Sequence, residues 1–254
     1  MANPTQIIIP GADFTANPPF WSLPTSVAPA YVGIFGSTMA RSLANGAAFG
    51  LAPSTISGLA PTIAPAYMGV QGWDTASGKQ QGILLGGGVL TGTAYSILMV
   101  AQTPGAFSGF LGPIFGTYQS GASGPDISFF SATQVQFRQK TVTNYTSCTF
   151  GIGASSTWQC LMAQGAQGVG TDAYTLTGGS SAHVANADTT AFTVNTAPIA
   201  IGGGRGTTAG NSPAISGPTN IAIVVVWQSS LSAQDRAAAY LWAQALCAKN
   251  GITI

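Results

Sequence analysis

Glutamate is absent from this chain. Its six acids are all aspartate (Asp13, Asp74, Asp126, Asp172, Asp188 and Asp235), and charged residues make up only 5% of the 254. A soluble domain ordinarily carries about 25%. The polar surface must therefore be built from Ser, Thr, Asn, Gln and backbone. Such a surface has little charge repulsion to keep copies apart, which points either to burial against other protein chains or to an extracellular polar surface selected for other reasons. The seven bases are scattered, and the net charge is only +1. Nucleic-acid binding needs a basic footprint, so nucleic acid is excluded as a partner. Histidine is nearly absent too. His183 is the only general base of its kind, and no Gly-x-Ser-x-Gly elbow accompanies it, which argues against a nucleophilic triad. Its polar surroundings read as a loop. Cys148, Cys160 and Cys247 are odd in number and match no zinc or redox spacing. Cys148 and Cys160 can face each other across a hairpin near Gly151 to Ser156, but free buried thiols fit better.

Targeting signals are not evident. Met1 to Phe20 has no basic start and only a short apolar run, Ile7 to Ile9, so no export signal is expected. Gly82 to Ala101 is twenty residues without a charge, long enough to suggest a membrane span. Its consecutive glycines, Gly86 to Gly88, read instead as a turn between strands at Gly82–Leu85 and Ala94–Ala101. No membrane insertion is expected. Asn144-Tyr145-Thr146 is a glycosylation sequon, to which no role is assigned without export.

What is present is aromatic, glycine-rich and proline-punctuated. Residues 1–78 hold Pro18, Pro19, Pro24, Pro29, Pro53, Pro61 and Pro65, which discourage long helices and central strands. Interspersed aromatics make this stretch too apolar for a disordered tail. It reads as an irregular arm that wraps the later core or reaches a neighbour. Arg41 to Leu59 has room for a short helix, weakened by its glycines. Residues 79–254 form the expected β-rich domain. Short β-branched and aromatic runs alternate with Gly, Ser, Asn and Pro clusters. Strands are expected near Gly82–Leu85, Tyr95–Gln102, Pro113–Tyr118, Asp126–Phe130, Gln134–Gln139, Ser147–Ile152, Thr157–Ala163, Thr171–Thr177, Ala191–Val194, Ile199–Gly202 and Thr219–Trp227. Gln134 to Arg138 alternates as a half-buried strand does. Ile221 to Val226 is apolar on both faces and reads as a central strand covered twice. The glycine-rich loop Gly202–Gly210 lacks the Lys-Ser/Thr ending of a phosphate loop and reads as a turn.

A helix closes the chain. Ser232 is a good N-cap, Asp235 complements the exposed amides, and Asn250-Gly251 is a stop signal. Ala237, Tyr240, Leu241, Ala245 and Ala248 fall at helical spacing and suggest its packed face. The tail Ile252 to Ile254 reads as extended and able to join a sheet edge.

A buried strand (Ile221 to Trp227), a polar break, Leu231-Ser232, Asp235, Tyr240-Leu241 and the ending Lys249-Asn250-Gly251-Ile252 together resemble the terminal signature of concanavalin A-like, or laminin-G-like, jelly-roll domains. Tyr95 to Val100, Trp158 to Ala163 with Ala173 to Gly178, and Pro198 to Gly203 resemble inner strands of that family. The resemblance covers about residues 80–254. It implies an all-β, antiparallel jelly-roll sandwich with one C-terminal helix and an irregular N-terminal arm.

Fold alone does not give function. Hydrolases of this fold carry clustered Glu-x-Asp-x-x-Glu residues, and a retaining glycosidase needs two carboxylates about 5 Å apart. With no Glu and isolated Asp residues, no catalytic residue is assigned, and nothing in the sequence supports a meeting of Asp172 and Asp188 in space. A calcium site needs clustered oxygen ligands, so no metal and no cofactor are expected. Sugar binding without calcium would use aromatic platforms, for which Trp73, Trp158, Tyr174 and Trp227 are the candidates. Two functions follow. The resemblance, to domains common in phage and bacterial proteins, together with the low charge implies the first, a non-enzymatic virion structural protein such as a phage head decoration or a head or tail fibre component. Its partners would be other virion proteins and copies of itself in a homo-oligomer, assembled in the host cytoplasm. The alternative is a carbohydrate-binding adhesin that meets a host-surface glycan.

Overall fold

The computed structural model describes residues 23–36, 54–55, 61–70, 72–74, 79–85, 89–90, 92–103, 105, 113–117, 124–131, 133–140, 145–151, 156–166, 169–179, 182–186, 198–202 and 219–254. Its strands in chain order are β1 (Tyr31–Ile34), β2 (Ser54–Thr55), β3 (Thr62–Ile63), β4 (Met68–Val70), β5 (Gly72–Asp74), β6 (Lys79–Gln81), β7 (Ile83–Leu85), β8 (Ala94–Gln102), β9 (Pro113–Thr117), β10 (Gly124–Ser131), β11 (Gln134–Lys140), β12 (Tyr145–Gly151), β13 (Trp158–Ala166), β14 (Gly170–Thr175), β15 (Ala182–Asn186), β16 (Ile199–Ile201) and β17 (Thr219–Trp227). One helix, α1 (Ala233–Lys249), follows.

The strands form two antiparallel sheets and a small hairpin of β5 with β6. The first sheet runs β15-β14-β13-β8-β17-β4-β3, with β1 also paired to β17; the second runs β12-β11-β10-β9-β16-β7-β2. Face to face, they enclose a core of alternate side chains. Tyr95, Ile97 and Met99 from the first sheet meet Phe115, Phe129 and Phe137 from the second. The outer face of the first sheet carries a second apolar layer, where Leu98, Val100, Cys160 and Met162 lie beneath Ala239, Ala243 and Leu246 of α1. This double cover explains why β8 and β17 are apolar on both faces. A large, twice-covered β sandwich closed by one helix is thus the architecture, as the sequence pattern implies.

The arm differs from expectation. β1 and β4 both pair antiparallel with β17, β1 over Ile223–Val226 and β4 over Thr219–Ile221. They line up as one interrupted strand. Gly36 marks the break, with a φ of +132°, and a Cβ there would lie 2.6 Å from the Pro65 carbonyl oxygen. β2 pairs with β7 in the second sheet. The prolines set the ends of these short strands without keeping the segment out of the sandwich. In the stretch read as a possible helix, the described residues Ser54 and Thr55 are strand. The expected strand at Ala191–Val194 lies outside the described residues, as does Asp188.

Three local readings also change. His183 lies on strand β15, its backbone opposite Tyr174 of β14, and not in a loop. The polar composition of 180–189 masked an edge strand, which needs only one apolar face. Cys148 belongs to β12 in the second sheet and Cys160 to β13 in the first, so no hairpin joins them. All three thiols are free and buried. Finally, α1 packs through Asp235, Ala239, Tyr240, Ala243, Leu246 and Cys247, while Leu241 is 61% exposed. Of the expected face only Tyr240 is packed. In an Ala-rich helix the sequence gives little phase information, and the few bulky side chains do not fall on one stripe. The tail does not pair with a sheet. Ile252 and Ile254 fold under the helix, where the Tyr240 hydroxyl donates to the Ile254 carbonyl at 3.2 Å.

Candidate functional site

A row of outward side chains crosses the first sheet beside the layer of residues that α1 covers. Thr62 of β3 pairs with Gly69 of β4, Gly69 with Asn220 of β17, Asn220 with Gln102 of β8, and Gln102 with Trp158 of β13. Directly opposed residues on neighbouring strands share a face. Thr62 is exposed, and Gly69, Asn220, Gln102 and Trp158 are half-buried.

A β-bulge makes the row possible. Asn220 and Ile221 pair with Gln102 and Ala101, but Ile223 is next opposite Val100, so the register slips by one residue between Ile221 and Ile223. Strict alternation would place Asn220 on the same face as Val224 and Val226, in the sandwich core. The extra residue re-aims it to the outer face, the usual geometric effect of a bulge.

The amides are fixed by each other. Asn220 Nδ2 donates to Gln102 Oε1 at 2.7 Å, and Gln102 Nε2 donates to the Ser156 carbonyl at 2.9 Å. That bond fixes the amide plane, so Asn220 presents Oδ1 as an acceptor and keeps a second N–H on Nδ2. That oxygen overhangs Gly69, where an added Cβ would lie only 3.3 Å away. Trp158 ends the row. Its ring is tilted at 52° against Tyr67, with centroids 5.6 Å apart. An aromatic pair beside pre-oriented amides offers hydrogen bonding and stacking without charge.

The other aromatic candidates are placed differently. Trp227 is fully buried between β17 and the helix layer, its indole N–H 3.4 Å from the Thr25 hydroxyl. Tyr174 is buried under Arg236, whose guanidinium lies 4.5 Å from the ring centre. Burial, with Asp172 nearby, raises its phenol pKa. Trp73 sits on β5 opposite Gln80, in the hairpin outside both sheets. The structure therefore brings Trp158 alone of the four into the row. Tyr67, Gln102 and Asn220 were not singled out by sequence reasoning, since their proximity depends on pairings between distant segments.

Three carboxylates hold structure. Asp126 accepts from Arg138 Nε at 3.0 Å across β10 and β11. Asp235 is bound by Ser26 and Ser232, and Asp172 accepts from the Tyr174 hydroxyl at 3.4 Å. Among the described residues no three His, Cys, Asp or Glu side chains gather where a metal could bind. No described helix is long and apolar enough to cross a membrane. An open groove of about 640 Å³ lies between Leu241, Ala245, Ala248 and the tail, lined mostly by small apolar groups and carrying no titratable side chain.

No family model and no curated protein matches the chain. Solved structures match it in fold. The botulinum neurotoxin serotype G binding domain superposes with a TM-score of 0.62 at 11% identity, over 87% of this chain and 52% of that one. The receptor binding domain of the C/D mosaic serotype gives 0.62 at 11%, over 84% and 51%. The serotype D ligand binding domain, solved in complex with N-acetylneuraminic acid, gives 0.60 at 10%, over 84% and 50%. The chain spans about half the length of the solved structures it matches. The likeness establishes a shared β-sandwich fold.

Proposed function

We propose that this chain is a non-enzymatic carbohydrate-binding module, a receptor-binding unit of adhesin type. The observation that carries the reading is the aromatic pair Tyr67–Trp158 standing beside the fixed amides of Gln102 and Asn220 on a partly open sheet face. Sugars are recognised by this combination, an aromatic face for their C–H surface and amide groups for their hydroxyls. Structural neighbours named as ligand-binding and receptor-binding domains lend support. Screening the intact chain against a broad glycan array tests it. Saturable binding to a defined glycan set is expected, and uniform absence of binding overturns the proposal.

The virion reading has its own support in the 5% charged composition, which favours a surface that assembles with other protein. A fibre that binds a receptor is both structural and lectin-like. Native mass measurement tests this part: a defined homo-oligomer is expected, and a monomer at high concentration counts against it.

A further inference from the structure

We infer that the row from Thr62 to Trp158 is the glycan site and that its ligand is an uncharged oligosaccharide lying across the strands. This inference rests on the carbohydrate-binding reading.

Charge favours a neutral ligand. Thr62, Gly69, Asn220, Gln102 and Trp158 contain no ionisable group, and neither do Ser156 and Thr157 at the Trp158 end. An acidic sugar needs a cation or a cluster of N–H donors for its carboxylate or sulfate. Among the bases whose side chains are described, Arg138 is held by Asp126 on the second sheet, Arg236 by Gln164 and Leu231 at the start of α1, and Lys249 lies in the last turn of α1. The fixed groups in the row point the same way. Asn220 offers Oδ1 as an acceptor, while Nδ2 keeps one N–H beyond its bond to Gln102. An acceptor suits a sugar hydroxyl and repels a carboxylate.

Shape sets the length of the ligand. Successive strands lie about 4.8 Å apart, so four steps from β3 to β13 span on the order of 19 Å. That is the reach of a short oligosaccharide, not of a single ring. Gly69 keeps the middle of the row low. A side chain there would stand against Asn220 Oδ1. The bulge between Ile221 and Ile223 takes the polar Asn220 side chain from the core side and sets it on this surface.

The test uses the full chain on an array holding neutral hexose and N-acetylhexosamine oligomers beside sialylated and sulfated glycans. Calorimetry then follows with the best neutral oligomer. Binding to neutral oligomers is expected, tighter for longer ones, with a Kd unchanged between low and high salt because no ion pair forms. Trp158→Ala and Asn220→Ala are each expected to weaken it about tenfold or more. Gly69→Ala fills the low point on the outer face of β4 and is expected to weaken binding while the thermal melt stays near wild type. It judges the site even if Trp158→Ala does not fold. Binding confined to sialylated or sulfated glycans overturns the inference and leaves the proposed function standing. Neutral binding untouched by Asn220→Ala and Gly69→Ala overturns the location in the same way. An array with no binding at all removes both.

Discussion

Asp235 shows how one side chain can tie two ends of the chain together. Its Oδ1 accepts from the Ser26 backbone N–H at 2.6 Å, and its Oδ2 accepts from the Ser26 and Ser232 hydroxyls, each at 2.8 Å. Ser232 returns the favour as N-cap, accepting from the Asp235 N–H at 3.1 Å. The Ser26 N–H, then the two hydroxyls, hold this carboxyl below the usual carboxylate value. A depressed folded pKa stabilises the fold above the unfolded value, near pH 3.9, and that contribution fades as pH falls through the folded value. Asp235→Asn is therefore expected to lower the melting temperature at neutral pH. The gap to wild type should close as pH drops below about 4, which melts taken across an acid series would check. A constant gap would remove the assignment. At the site, the same scale of detail decides recognition, because the amide of Gln102 fixes that of Asn220.

At the scale of elements, α1 is held by its ends and by a stripe of contacts between. Ser96 of β8 bonds the Ser229 carbonyl at 2.7 Å and the Leu231 N–H at 3.1 Å, and Gln164 of β13 joins the same cluster. These buried groups satisfy one another and position the helix start on the sheet. Further along, Leu246 is 4% exposed and packs in the layer with Val100 and Cys160. Leu246→Ala is expected to cost about 2–5 kcal/mol by loss of burial and cavity formation. Leu241→Ala, on the exposed face, should cost well under about 1 kcal/mol. Urea denaturation of the two variants separates the packed face from the exposed one. Equal losses would contradict the observed orientation of the helix.

Across the whole molecule, the cysteines sample both apolar layers. Cys148 lies between the sheets, while Cys160 and Cys247 share the layer beneath α1. Burial raises the pKa of all three thiols, that of Cys247 to about 12. Only a thiolate reacts readily with a disulfide reagent. The native protein is expected to show no fast-reacting thiol at pH 8 with a chromogenic disulfide, and three once denatured. A fast native thiol would mean that one of the layers opens. By itself, the sequence determined the β class, most strand positions, the doubly covered β17 and the capped helix with its stop at Asn250-Gly251. These follow from local periodicity, turn residues and caps, which neighbouring residues encode. The tertiary structure alone decided that β1 and β4 complete the sheet, that the helix turns Leu241 outward and that His183 lies on a strand. It also decided the row at Trp158. Thr62, Asn220, Gln102 and Trp158 come from four separate strands, and Asn220 reaches them only through a one-residue bulge. Long-range pairing and register carry that information, and no local pattern does.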